Sequence, residues 1–213
     1  VNDPTATASI TGRVHLRASD TVFNVGSGAA DPELLVSAAI TENAQYGITK
    51  QGAGTMTLTG ANTYTGGTTI NAGVLSVADI KDSAASNLGS GSGSTGFVEL
   101  SDTGTLRYTG AGSQSTGRAL IIDDASTTAT VEIAAADGSL QFTSNNGTRN
   151  QNLTKTGAGT LRLDGALSGG SEGTTNEGLL ILTGTNTNTG AWNINNASGL
   201  QIGVGGAAGT LGN

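Results

Sequence analysis

Asp123 and Asp124 follow closely on Arg118, and Asp137 comes one short stretch later. Two or three carboxylates converging on a groove beside a guanidinium is how an enzyme cleaves a polysaccharide by acid–base chemistry. Neighbouring residues on a strand face opposite sides. Asp123 and Asp124 therefore share a groove only from a corner, and "DDAS" (123–126) reads as a structural corner. His15, the single histidine, sits in "RVHLRAS" (13–19). With Val14 and Leu16 inward, it points to solvent beside Arg13 and Arg17, with no partner for a metal site or a proton relay. Trp192 in "GAWNIN" has the flat face of a sugar platform, but Ile194 shares its side and points to packing. No catalytic, cofactor-binding or metal residue is expected, no cofactor is implied, and the chain reads as a non-enzyme.

Composition narrows the classes further. The 213 residues carry a net charge of −7 with only nine Lys and Arg, and these are scattered. A nucleic-acid binder needs clustered cations, so nucleic acid is excluded as a partner. The same acidity disfavours anionic membranes, and no apolar run approaches the length of a membrane helix. Charged residues make up 12% of the chain, too few for disorder driven by charge repulsion. Aromatics are 3%, so the core must be a narrow one of small and branched aliphatics. Cysteine is absent, which removes disulfide and thiolate chemistry. The chain opens at Val1 and stops at "GTLGN", and it is expected to be a fragment of something longer.

The elements that would position any site repeat themselves. "KQGAGTMTLTGANTYTGGTTINAGVLSV" (50–77) aligns without a gap to "KTGAGTLRLDGALSGGSEGTTNEGLLIL" (155–182), with twelve of 28 positions identical. A partial copy begins at "LTGTNTNTG" (182–190) and runs to 203. Within each copy apolar residues alternate with polar ones: Met56/Leu58, Leu161/Leu163, and likewise Leu106/Tyr108, Leu75/Val77 and Leu200/Ile202. Period two with polar partners means short strands with one buried face. Between them lie "GAG", "NAG" and "GANTYTGG", where Gly and Asn supply tight corners. A sandwich would use such strands but needs larger core residues. A solenoid of twenty-odd-residue coils, roughly nine or ten of them, stacks the same inward aliphatics on each other. "DPELLVSAAI" (31–40) is read as strand, despite Asp31 and Pro32 resembling a helix start. "DIKDSAASNLG" (79–89) is read as a loop with room for a short helix. Leu58 and Leu163 should occupy equivalent inward places. The outward Thr55/Thr57/Thr59 would align with Thr160/Arg162/Asp164, a charged break that argues against an ice-binding threonine ladder.

The motif at Lys50–Leu75, with its echoes, resembles the autotransporter-associated β-strand repeat of passenger domains in Gram-negative type V autotransporters. "TVFNVGSGAADPELLVSAAI", "GTLRYTGAG" and "IGVGGAAGTLGN" also resemble the segments between repeat cores there, so the resemblance covers most of the chain. It departs at Leu167–Glu172, where "LSGGSE" replaces "NTYTGG". The resemblance implies an all-β fold, a right-handed single-stranded parallel β-helix running as one continuous segment over 1–213. It further implies export across the outer membrane to the cell surface or medium. A membrane barrel translocator would belong to the full-length chain, and the solution state would be monomeric. The function implied is a stiff, non-enzymatic rod supporting adhesion to host surface or matrix ligands, or self-association. The alternative is a carbohydrate-active or glycan-binding β-helix domain.

Overall fold

The computed structural model of the chain describes residues 5–19, 21–123, 128–144, 147–148, 152–167, 172–187, 189–195 and 198–203. Among these every regular element is a strand, and every strand pairing is parallel. Parallel neighbours cannot be joined by a hairpin. Here the chain instead runs round a closed course and returns one layer up, which makes a β-solenoid.

Three walls define the cross-section. The first is a nine-stranded sheet of Ala8–Ile10, Leu34–Val36, Thr55–Leu58, Val74–Val77, Thr105–Tyr108, Ala129–Ile133, Leu153–Thr156, Gly173–Thr175 and Trp192–Ile194, in that order. The second begins as the pair Arg13–His15 and Ala39–Thr41. It is then crossed by loops for two coils, where Asn62 bridges Ser86. It resumes as the five strands Ser113–Thr116, Ser139–Phe142, Thr160–Leu163, Leu179–Leu182 and Gly199–Ile202. The third is a six-stranded sheet of Thr21–Asn24, Ile48–Gln51, Thr68–Ile70, Gly93–Leu100, Arg118–Ile122 and Gly147–Thr148.

Nine strands in the first wall mean eight turns, slightly fewer than the nine or ten expected from an even coil length. The reason is that the coils are unequal. Met56 sits beneath Leu75, a step of 75 − 56 = 19 residues, whereas Leu75 sits beneath Leu106, a step of 106 − 75 = 31. The long coil carries the 78–92 loop across the second wall.

The core is a column of aliphatics. Met56, Leu75, Leu106 and Val131 stack in register, as do Leu58, Val77, Tyr108 and Ile133, and all are at most 1% exposed. Leu140, Leu161 and Leu180 form a parallel column behind the second wall, also sealed from solvent. Leu200 and Ile202, the inward pair of the last described coil, are partly buried against it. The segment read as strand at 31–40 is two short strands, Leu34–Val36 and Ala39–Thr41, lying on different walls. The loop over 79–89 contains no helix.

The two repeat copies do not lie on the same walls. Lys50 is in the third wall and Met56/Leu58 in the first; Lys155 is in the first and Leu161/Leu163 in the second. Leu58 and Leu163 are both buried and hold the same place within their copies, but the second copy is rotated about the axis by one wall. Register by register, four turns take Lys50 through Ile70, Leu100 and Ile122 to Thr148. Lys155 lies one wall further round, in the strand Leu153–Thr156 of the first wall. The outward threonines of the first copy therefore do not meet Arg162 and Asp164. Thr57 is followed in its row by Ser76, Arg107 and Glu132.

Candidate functional site

The residues singled out for chemistry are kept apart. Arg118 is fully buried inside the solenoid rather than facing a groove. Asp123 lies on the outside, where its carboxylate accepts from Ser101 Oγ at 3.3 Å; Asp124 lies outside the described residues. Asp137 is exposed at a separate corner. His15 is exposed and pairs through Nδ1 with Thr41 Oγ1 at 2.9 Å, with Leu16 buried beside it. Trp192 packs on the core, its ring lying over the Cα of Gly173 in the preceding coil. A Cβ on Gly173 would stand 2.1 Å from that ring, so the missing side chain makes the seat for the indole. Among the described residues no three His, Asp or Glu side chains gather as a metal-sized group.

The polar chemistry of the fold is inside it, on cations that the sequence left among the scattered surface charges. Lys50 continues the inward phase of Ile48 and is sealed from solvent. Its ammonium donates to the carbonyls of Gln51 (3.1 Å), Gly52 (2.7 Å) and, one coil on, Ala72 (3.0 Å). Lys155 does the same with Thr156 (2.8 Å), Gly157 (2.6 Å) and Glu177 (2.9 Å). Three donors meet three acceptors, so a buried charge is fully hydrogen-bonded. Burial lowers each ammonium to about 8; Glu33 opposes this at Lys50, and Glu177 and Glu132 oppose it at Lys155.

The glycines of "K-x-G-A-G" exist to make this cage. Gly52 and Gly157 both take φ +76°, which turns their carbonyls inward, and a Cβ on either would stand 2.3 Å from a carbonyl oxygen of the preceding coil. The Lys-Gly corner is thus one device built twice, at two different corners. The signal was present in the sequence: both lysines fall two residues after an inward aliphatic, Ile48 or Leu153.

Arg118 applies the same logic to the long coil. Its guanidinium donates to Gly89 (2.9 Å) and Lys81 (3.1 Å) of the 78–92 loop and to Gly96 (2.9 Å) in the strand that follows, pinning the loop back onto the stack. Asn62 and Asn186 tie one coil to the next in a related way, their side-chain oxygens accepting from Ile40 N (2.7 Å) and Leu167 N (2.9 Å). These arrangements hold backbone to backbone.

Comparison with known proteins agrees with this architecture. The family model Passenger-associated-transport-repeat matches residues 48–77, 153–176 and 174–198, the stretches that contain both lysine corners and the last wall-to-wall passage. The chain is 34% identical over 123 residues to the adhesin BmaC autotransporter of Brucella suis biovar 1 (strain 1330). That alignment covers 57% of this chain and 3% of the relative, so the chain spans a small fraction of the length of the curated protein it matches. No solved structure matches it. The matched stretches carry repeats of this family on a parallel β-solenoid, so the chain is similar there to the repeat region of an autotransporter passenger, a similarity that supports display at the cell surface or secretion across the outer membrane.

Proposed function

We propose that residues 1–213 form one continuous, non-enzymatic rod segment of a passenger, with repeat cores at 50–77 and 155–182 and a partial copy at 182–203. The rod carries adhesive or self-associating surface away from the cell. The observation that supports this is the first wall: nine parallel strands in unbroken register, a span of about 38 Å at about 4.8 Å per layer. Stiffness follows from the corners, because each lysine clamp ties a coil to the next one. The relative's description as an adhesin supports adhesion as the purpose of the display. A membrane barrel translocator elsewhere in the full-length protein would bring the passenger out, and stacking of coils outside the cell would oppose its return.

Small-angle scattering on the isolated chain tests the rod. A cross-section that stays constant while the long dimension grows on inserting a further 50–77 copy is expected. A compact, globular profile for the parent chain would sink the reading. Adhesion and self-association are read separately, by retention on matrix-coated surfaces and by sedimentation velocity.

A further inference from the structure

The outer face of the five-stranded second wall holds a groove of about 340 Å³. In register along the solenoid axis, Ser115, Gln141, Arg162 and Ile181 succeed one another, with Ser113 and Ser139 in the neighbouring row. The side chains at its centre are held in place from the side. Asp164 accepts from Arg162 Nε at 2.6 Å, from Thr183 Oγ1 at 2.6 Å and from Gln141 Nε2. Burial pushes the Asp164 carboxyl up, but the hydrogen bonds from Arg162, Thr183 and Gln141 outweigh it and leave it below its ordinary value. Arg162 and Gln141 are therefore fixed through one end each. Arg162, Gln141 and the serines line the groove, where the guanidinium can donate through Nη, the amide can accept through Oε1 and the hydroxyls can do either.

We propose that this groove binds an extended neutral glycan, an assignment that rests on the adhesive-passenger reading and adds a ligand class and a site to it. An anchored amide, Gln141, adjoins an anchored guanidinium, Arg162, with serine hydroxyls that can donate or accept beside them, a set that suits pairs of adjacent sugar hydroxyls. Ile181 supplies an apolar contact for the C–H face of a ring. Successive coils are about 4.8 Å apart, comparable with the advance of one sugar in an extended chain, so each coil meets one ring. Charge favours the neutral ligand. Asp164 offsets Arg162, and the chain as a whole carries −7, which repels a polyanion. No aromatic residue lines the groove, so the affinity for each sugar is low and attachment relies on many displayed copies.

The test is an amide chemical-shift titration of the full chain with cellohexaose and mannohexaose at millimolar concentration, with hexagalacturonate as the charged counterpart. Binding of at least one neutral hexasaccharide is expected, with shifts confined to residues 113–116, 139–142, 160–163 and 179–182. Arg162→Gln should weaken it at least about tenfold. Ser115→Ala combined with Ser139→Ala, which leaves the Asp164 cluster intact, should weaken it less. No shift with either neutral sugar, shifts elsewhere, or unchanged binding by Arg162→Gln overturns the proposal. Tighter binding of hexagalacturonate overturns the neutral assignment. None of these outcomes alters the scattering profile, so the rod reading fails or stands separately.

Discussion

Lys50 and Lys155 make the same three carbonyl contacts from different walls of the solenoid, Lys50 from the third and Lys155 from the first. The repeat therefore encodes a corner, together with the strands on either side of it, and does not encode a position on the circumference. Two different corners of the cross-section accept it, because a cage made of backbone carbonyls needs the positive-φ glycine and the turn of the next coil that carries Ala72 or Glu177.

Replacing Lys50 by Met should cost about 1–3 kcal/mol for each carbonyl left without a donor and without water. Hydrogen exchange read coil by coil should show faster exchange at Gly52–Gly54 and Ala72–Val74, with the Lys155 corner unaffected. Exchange identical to the parent would mean that the cage contributes nothing.

Stability should depend on pH through these lysines with a definite sign. Their folded value of about 8 lies below the ordinary 10.5, so between those limits the unfolded chain binds more protons. The fold should then gain stability as pH rises from about 8 to 10.5, on the order of 3 kcal/mol for each lysine. Tyr64 works the other way. Burial raises its phenol to about 12, so its contribution is lost as pH rises from about 10 to 12. Urea midpoints across this range should peak near pH 10. The Lys50→Met, Lys155→Met double variant should lose the rising limb and keep the falling one; a rising limb that persists would assign it to other groups.

Leu58→Asp and Leu163→Asp should each cost several kcal/mol, because each places an unpaired carboxylate in a sealed column. Circular dichroism melting is sufficient to measure this. A variant that melts with the parent would place that leucine on the outside.

Gly157→Ala should destabilise by about 1–3 kcal/mol, since alanine must hold a positive φ and also press against the Ile133 carbonyl. Gly112, also at positive φ but with nothing within 4 Å of its would-be Cβ, should tolerate alanine better. Equal losses at the two positions would show that contact with the coil below is unimportant.

Arg118→Met should release the 78–92 loop, read as new protease cleavage between Lys81 and Ser92 while the rest of the chain stays resistant. Resistance equal to the parent would mean that the loop is held by other bonds, such as Asn87 Oδ1 to the amides of Ala78 and Asp79.

By itself the sequence determined the element type, the inward residues and the stacking principle. Alternation at Met56/Leu58 or Leu161/Leu163, and glycine at the corners, are local properties that hold wherever the coil sits. The tertiary structure alone decided which wall each copy occupies, because the phase accumulates from every coil length between them, including the 31-residue step from Leu75 to Leu106. It also decided that Lys50, Lys155 and Arg118 turn inward. A cation next to a strand reads as solvated surface until the next coil brings the carbonyl of Ala72 or Glu177 within hydrogen-bonding distance, and that acceptor lies 22 residues further along the chain.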